Sequence, residues 1–216
     1  MDELLRIAPG LALAIVVGYF LGALPLADRV SARLGIDIFS VGTGLAGASN
    51  VRRSVGRWPA LFVLVGDLAK GATSVVTAEA LGVEGPWVIL PVAGAVVGHW
   101  KSIFSRFRGG DGLLTLGGSA IAMFPVFGIV ALAVAVLVAL GGQRMPYSSL
   151  LSVAFGYASL VGLSLYHDEQ TTLALGFGGV SALVLAYALN GHRRRRHTQE
   201  WEIEPESGRE AGQARP

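Results

Sequence analysis

Six apolar runs set the frame of this chain, at residues 7–27, 58–81, 87–100, 113–140, 150–166 and 171–189. A helix crossing a bilayer needs about 20 apolar residues, and most of these runs come near that length. The charges between them are as informative, because membrane proteins keep Lys and Arg in their cytoplasmic loops. Arg29, Arg33, Arg52, Arg53 and Arg57 follow the first run, and Lys101, Arg106 and Arg108 follow the third. Arg144 follows the fourth, and His192 with Arg193, Arg194, Arg195 and Arg196 follows the last. The other loops carry Glu84, and then His167, Asp168 and Glu169, without Lys or Arg. The 113–140 run is too long for one span. A hairpin turning at Pro125 puts every basic loop on one side, whereas a single span would export the arginine run. The sequence therefore predicts an all-α membrane protein. It has seven transmembrane helices, the N-terminus outside, the C-terminus cytoplasmic, and glycine-rich cytoplasmic loops.

Composition agrees where it bears on this. Charged residues make up 15 % of the chain, against about 25 % in soluble domains, and the mean hydropathy is +0.57. Asp2 and Glu3 lead the chain and Arg6 is the only base before the first run. That is a weak positive region for a cleaved signal peptide, so the first run is expected to stay. There is no cysteine, which excludes disulfides and thiolate metal sites. Residues 1–197 are expected to form one membrane domain, and 198–216 a disordered polar tail.

The first cytoplasmic loop contains GIDIFSVGTGLAGASN, within which Gly42, Gly44 and Gly47 spell G-x-G-x-x-G after a stretch that resembles a short strand. A dinucleotide fold requires a βαβ unit and further strands, and the rest of the chain offers none. No dinucleotide and no nucleic acid is expected as a partner. Glycines still allow backbone to approach a ligand closely, and exposed N–H groups make concavities for anions. Asn50, Arg52, Arg53 and Arg57 follow at once, which suits a phosphate; a flexible connecting loop is the plain alternative. A second loop, GHWKSIFSRFRGGDGLLTLGG, weighs against that alternative. It places Gly109, Gly110 and Gly112 before an apolar helix, with Lys101, Arg106 and Arg108 ahead of them. A helix N-terminus beside glycines is again suited to an anion.

These residues resemble the PlsY family, the bacterial acyl-phosphate:glycerol-3-phosphate acyltransferases. The family's G-S-G-N-x-G-A-T-N and following arginine correspond to Gly42-Thr43-Gly44-Leu45-Ala46-Gly47-Ala48-Ser49-Asn50 with Arg52 and Arg53. Its D-L-x-K-G corresponds to Asp67-Leu68-Ala69-Lys70-Gly71. Its G-H-x-F-P-x-F-x-x-F-K-G-G-K-G is opened by Gly98-His99 and closed by Phe107-Arg108-Gly109-Gly110-Asp111-Gly112. Its last motif begins like His192-Arg193. Leu45, Asp111, Arg194 and Arg195 depart from the pattern. Asp111 reverses a charge beside the phosphate loop, and is expected either to turn away from the phosphates or to pair, with Arg106 or Arg108 as partners at hand.

The resemblance implies transfer of a fatty acyl group from acyl phosphate to the sn-1 hydroxyl of glycerol 3-phosphate, giving lysophosphatidic acid for phospholipid biosynthesis. No cofactor or metal is implied, and the setting is the bacterial inner membrane, with its lipids as surroundings. Thr43, His99 and His192 take catalytic roles. Gly42, Gly44, Gly47, Asn50, Arg53, Arg108, Gly109, Gly110 and Gly112 bind substrate phosphate. The residues alone leave other roles open. Arg53 also serves as a positive-inside anchor, and His99 and His192 as interfacial histidines. Asp67 and Lys70, three apart on a helix, read as a structural ion pair before a proton carrier. Arg193 to Arg196 suit anionic headgroups. Two other classes compete. One is a diverged, non-catalytic membrane protein that binds a lipid precursor or a partner enzyme. The other is a small transporter, against which stands the lack of inverted repeats of broken helices.

Overall fold

A computed structural model describes residues 2–142 and 148–210, with side chains for 6–142, 148 and 150–190. Arg144 lies outside the described residues, and His192 is placed by its backbone only. Among the described residues the regular structure is helical, and the only β feature is an isolated bridge between Ser102 and Arg108. The helices are α1 (Asp2–Ala23), α2 (Leu26–Ala32), α3 (Ala48–Ser54), α4 (Arg57–Ala80), α5 (Ile89–Trp100), α6 (Leu113–Met123), α7 (Pro125–Gly141), α8 (Ser148–His167) and α9 (Thr171–Glu210). The short stretch before the first glycine loop forms turns, not a strand, since no neighbouring strand is there to pair with it.

Glycine spacing explains the main contacts. Gly18 and Gly22 on α1 and Gly94 and Gly98 on α5 each form a G-x-x-x-G step. A Cβ on Gly94 would lie 2.8 Å from the carbonyl O of Ile15, and one on Gly22 or Gly98 would collide with the carbonyls of Ala95 and Tyr19. The two backbones therefore meet directly, as small-residue helix pairs do in lipid. The α4–α6 contact is built likewise: Gly71 lies against the Thr115 carbonyl and Gly118 against that of Leu68.

The 113–140 run is broken where Pro125 demands it. The residue before a proline is driven out of the α region. Phe124 accordingly sits at φ −133 and ψ 73, while Pro125 opens α7. Phe124 is 1 % exposed and meets Phe177 edge-on at 6.0 Å. Beyond the break α7 lies along α6, with Gly128 against Ala120.

Four helical segments have the length and apolarity to cross a membrane: Arg6–Ala32, Arg57–Ala80, Leu150–His167 and Thr171–Asn190. Gly85–Trp100, Leu113–Met123 and Pro125–Gly141 are shorter and apolar. Trp58, Phe62, Val126, Leu137 and Leu183 are all more than half exposed. Apolar surface on that scale suits lipid, not water. The backbone of α9 stays helical past Thr198 to Glu210, through most of the segment whose composition predicts a disordered tail.

Candidate active site

The first glycine loop rests on its own small core, formed by Ala27, Ile38, Ala46, Val51, Ala60 and Val63. Above that core Asn50 organises the loop. It is 1 % exposed. Its Nδ2 donates to the carbonyls of Ile38 at 3.1 Å, Val41 at 3.0 Å and Leu45 at 3.0 Å. Its Oδ1 accepts from the Thr43 N–H at 3.2 Å and the Ser54 hydroxyl at 3.3 Å. An amide has two donor hydrogens and one acceptor oxygen, so Asn50 has nothing left for a ligand. In this structure it shapes the loop, where the sequence suggested a phosphate ligand. Gly42 follows from this: its φ is +57, and a Cβ there would strike Asn50 Oδ1. The expected nest of free N–H groups is also largely used up. The Gly44 N–H goes to Val41, that of Gly47 to Leu45, and that of Ala46 to Gly109.

The second glycine loop is pinned on three sides. The Ser102 hydroxyl donates to the Ala23 carbonyl at 2.5 Å, and the Ser105 hydroxyl donates to Asp28 Oδ2 at 2.5 Å. The Trp100 indole N–H donates to the Asp111 carbonyl at 2.8 Å. Between these ties Arg106 and Phe107 are left-handed, at φ 55 and 59. Phe104 and Phe107 are exposed beside Ile103, an apolar tip of the kind found at a membrane interface.

Asp111 has a different partner from the one expected. Among the described residues no ion pair joins it to Arg106 or Arg108. Its Oδ1 instead accepts the N–H of Leu113 at 3.2 Å, at the start of α6. A carboxylate suits that position, where a helix leaves N–H groups unpaired and presents its positive end. Protein crowds the Asp111 carboxyl although part of the residue's surface is exposed. This burial raises its pKa above the ordinary 3.8; His99 and the Leu113 N–H pull it back, and Asp67 adds to the rise.

The two loops, distant in sequence, join at one end of the bundle. The Ala46 N–H donates to the Gly109 carbonyl at 3.2 Å. The Arg108 guanidinium lies 4.2 Å over the Phe39 ring, a cation–π contact that reaches back to the first loop. Gly109 packs on the His99 carbonyl, and Gly110 faces His99 Nε2 with the Ala46 carbonyl beyond. The other ring nitrogen, Nδ1, is 3.8 Å from Asp67 Oδ1, a charge contact too long for a hydrogen bond. Asp67 pairs with Lys70 at 2.8 Å, both side chains almost fully buried. His99 thus bridges a buried ion pair and the joint between the loops.

A cavity of about 20 Å³ lies here, lined by Ala46, Asp67, Lys70, His99, Ser105 and Arg108 among others. That is room for about one water molecule. Arg108 is exposed at this site, and Arg53 is exposed on α3. Thr43 and Gly47 are half-buried, and Gly112 is buried under Trp100. Asp67, Lys70, Ser102 and Ser105 were not read as site residues from sequence, although the D-L-x-K-G match marked the first two. Among the described residues no three His, Asp or Glu side chains gather as a metal site.

Comparison with known proteins gives a consistent result. A family model described as glycerol-3-phosphate acyltransferase matches residues 12–198. The glycerol-3-phosphate acyltransferase of Rubrobacter xylanophilus is 41 % identical over 142 residues, covering 65 % of this chain and 69 % of the relative. The one from Synechococcus sp. (strain JA-3-3Ab) is 37 % identical over 188 residues, covering 84 % and 86 %. The one from Roseiflexus sp. is 32 % identical over 187 residues, covering 86 % and 92 %. Among solved structures, PlsY in its glycerol 3-phosphate form, an integral membrane glycerol 3-phosphate acyltransferase, superimposes with a TM-score of 0.68. It covers 89 % of this chain and 92 % of its own at 22 % identity. The lysophosphatidic acid form gives 0.66. At that identity these two structures bear on the fold.

Proposed function

Because the chain belongs to the glycerol-3-phosphate acyltransferase family, we propose that it transfers a fatty acyl group from acyl phosphate to the sn-1 hydroxyl of glycerol 3-phosphate. The observation that carries this reading is the hydrogen bond from Ala46 to Gly109. It closes two glycine loops around His99 and Arg108 at one end of an apolar helical bundle.

The chemistry needs little covalent help. Acyl phosphate is already activated: the hydroxyl oxygen bonds to the acyl carbon, the bond to phosphate breaks, and the hydroxyl proton ends on the released phosphate. The protein contributes orientation and stabilisation of charge. The amides of Thr43, Gly44, Ala46 and Gly47 are engaged within the protein, so that work falls to side chains. Arg108 and Arg53 hold phosphate, the Thr43 hydroxyl orients a substrate oxygen, and His99 Nε2 meets the acceptor hydroxyl. Asp67 lies beside His99 Nδ1, and Lys70 balances its carboxylate. His192 completes the set from α9.

Seven membrane crossings accompany this reading, with the N-terminus outside and both glycine loops and the C-terminus in the cytoplasm. The setting is the bacterial inner membrane, whose lipids receive the product. Residues 1–197 form the membrane unit, and 198–216 a polar appendage. With 11 residues, α6 rises only about 16 Å, roughly half the hydrocarbon thickness.

The test is saturation kinetics of Arg108→Ala. A charge-assisted hydrogen bond to phosphate is worth about 1.5–3 kcal/mol, so KM for glycerol 3-phosphate rises on the order of 10- to 100-fold. An unchanged KM removes Arg108 from the phosphate site.

A further inference from the structure

The second glycine loop is also held from a side that the chemistry does not use. Trp100, the last residue of α5, stacks on Tyr187 of α9, with ring centroids 4.3 Å apart and planes 10° from parallel. The same indole donates to the Asp111 carbonyl at 2.8 Å. The next residue, Gly112, turns the chain at φ +83, and a Cβ there would lie 2.8 Å from the indole nitrogen. The turn that starts α6 is therefore moulded on this one side chain. On one side of Asp111 is Gly110, which faces His99; on the other is Leu113, whose N–H the Asp111 carboxylate accepts. From Tyr187, α9 reaches His192 after about one and a half turns, roughly 7.5 Å along the axis. The aromatic pair thus links the last helix directly to the loop holding Gly109, Gly110 and Gly112.

We infer that Trp100 and Tyr187 form a positioning clamp, which holds the second glycine loop against α9 in the geometry that glycerol 3-phosphate meets. Its kinetic consequence rests on the acyl-transfer reading; its mechanical consequence does not. Neither residue touches the reacting atoms. Both act through the Asp111 carbonyl and the Gly112 turn.

The chain has no cysteine, so Leu114→Cys gives a single thiol, at a half-buried site in the first turn of α6. In that background Tyr187→Leu removes the stacking partner. Alkylation of the thiol then speeds up, and KM for glycerol 3-phosphate rises, each about tenfold, with kcat within about threefold. Tyr187→Phe keeps the ring that stacks on Trp100 and stays closer to the parent than Tyr187→Leu in both values. Trp100→Phe keeps a ring but loses the donor, and falls between. Where Tyr187→Leu does not fold, Tyr187→Met serves as the ring-free variant. Unchanged alkylation and unchanged KM in the ring-free variant overturn the clamp, as does a lower Tm with both values unmoved, which marks a merely structural contact. Faster alkylation in a protein whose parent transfers no acyl group keeps the clamp and sinks the acyl-transfer reading instead.

Discussion

Gly110→Ala tests the joint between the loops. The added Cβ would collide with His99 Nε2 and lie 2.6 Å from the Ala46 carbonyl O. Reaching an ordinary contact of about 3.4 Å requires roughly 0.8 Å of separation. The imidazole can turn aside; the Ala46 carbonyl is backbone and moves only with its loop. The nearby Ala46–Gly109 bond is 3.2 Å long, so a displacement of that size along it breaks it, a loss of about 1 kcal/mol. Overpacking adds about 1–3 kcal/mol. A shift near 1 Å between groups that must align costs about 100-fold in rate, or about 2.7 kcal/mol of barrier. We therefore expect kcat/KM for acyl transfer to fall about 100-fold in Gly110→Ala, with the helical content of the purified protein intact. Gly162→Ala is the control: a Cβ there meets nothing within 4 Å, and activity holds at the wild-type level. A Gly110→Ala enzyme within about threefold of wild type would refute the claim that contact between the loops sets the site geometry.

Three further outcomes follow from the same structure. A Cβ on Gly47 meets nothing within 4 Å, so Gly47→Ala leaves the thermal midpoint unchanged. A rise in KM for glycerol 3-phosphate of about tenfold would then report the ligand itself against the Gly47 backbone, and an unchanged KM removes Gly47 from the site. Asp111 has its carboxyl raised above 3.8 by burial. Its protonated form therefore favours folding, and its contribution is fully present below the unfolded value and lost as pH rises through the folded one. Asp111→Asn keeps an oxygen for the Leu113 N–H but cannot ionise. In thermal melts from about pH 4 to pH 8 the variant gains on wild type as pH rises, and a variant that loses ground instead contradicts the burial argument. Topology is open to single-cysteine labelling. Ser49→Cys and Arg106→Cys should react only from the cytoplasmic side, and Glu84→Cys and Glu169→Cys only from outside. Labelling of Ser49→Cys from outside would reverse the orientation.

The apolar frame was readable because its signal is long and repeated. The break before Pro125 is dictated locally, whereas the basic residues of the two glycine loops suggested only a shared membrane face and not their direct contact. Asn50 was ambiguous, because an amide beside glycines looks alike whether it holds a ligand or the loop. Only its burial and its five hydrogen-bond partners distinguish the two. Asp111 was readable in part: an Asp one residue before a Gly that opens an apolar helix fits a capping role, which the charge argument overshadowed. The Asp67–His99 contact joins α4 to α5, and no spacing along the chain could announce it. The Trp100–Tyr187 stack was hidden for the same reason.

The account is tested most directly by offering the purified protein labelled glycerol 3-phosphate with acyl phosphate, acyl-CoA or acyl carrier protein in turn. The account predicts lysophosphatidic acid with acyl phosphate alone, matched mole for mole by inorganic phosphate. Absence of product with all three donors would contradict it, and would leave a membrane protein that binds these molecules without turning them over.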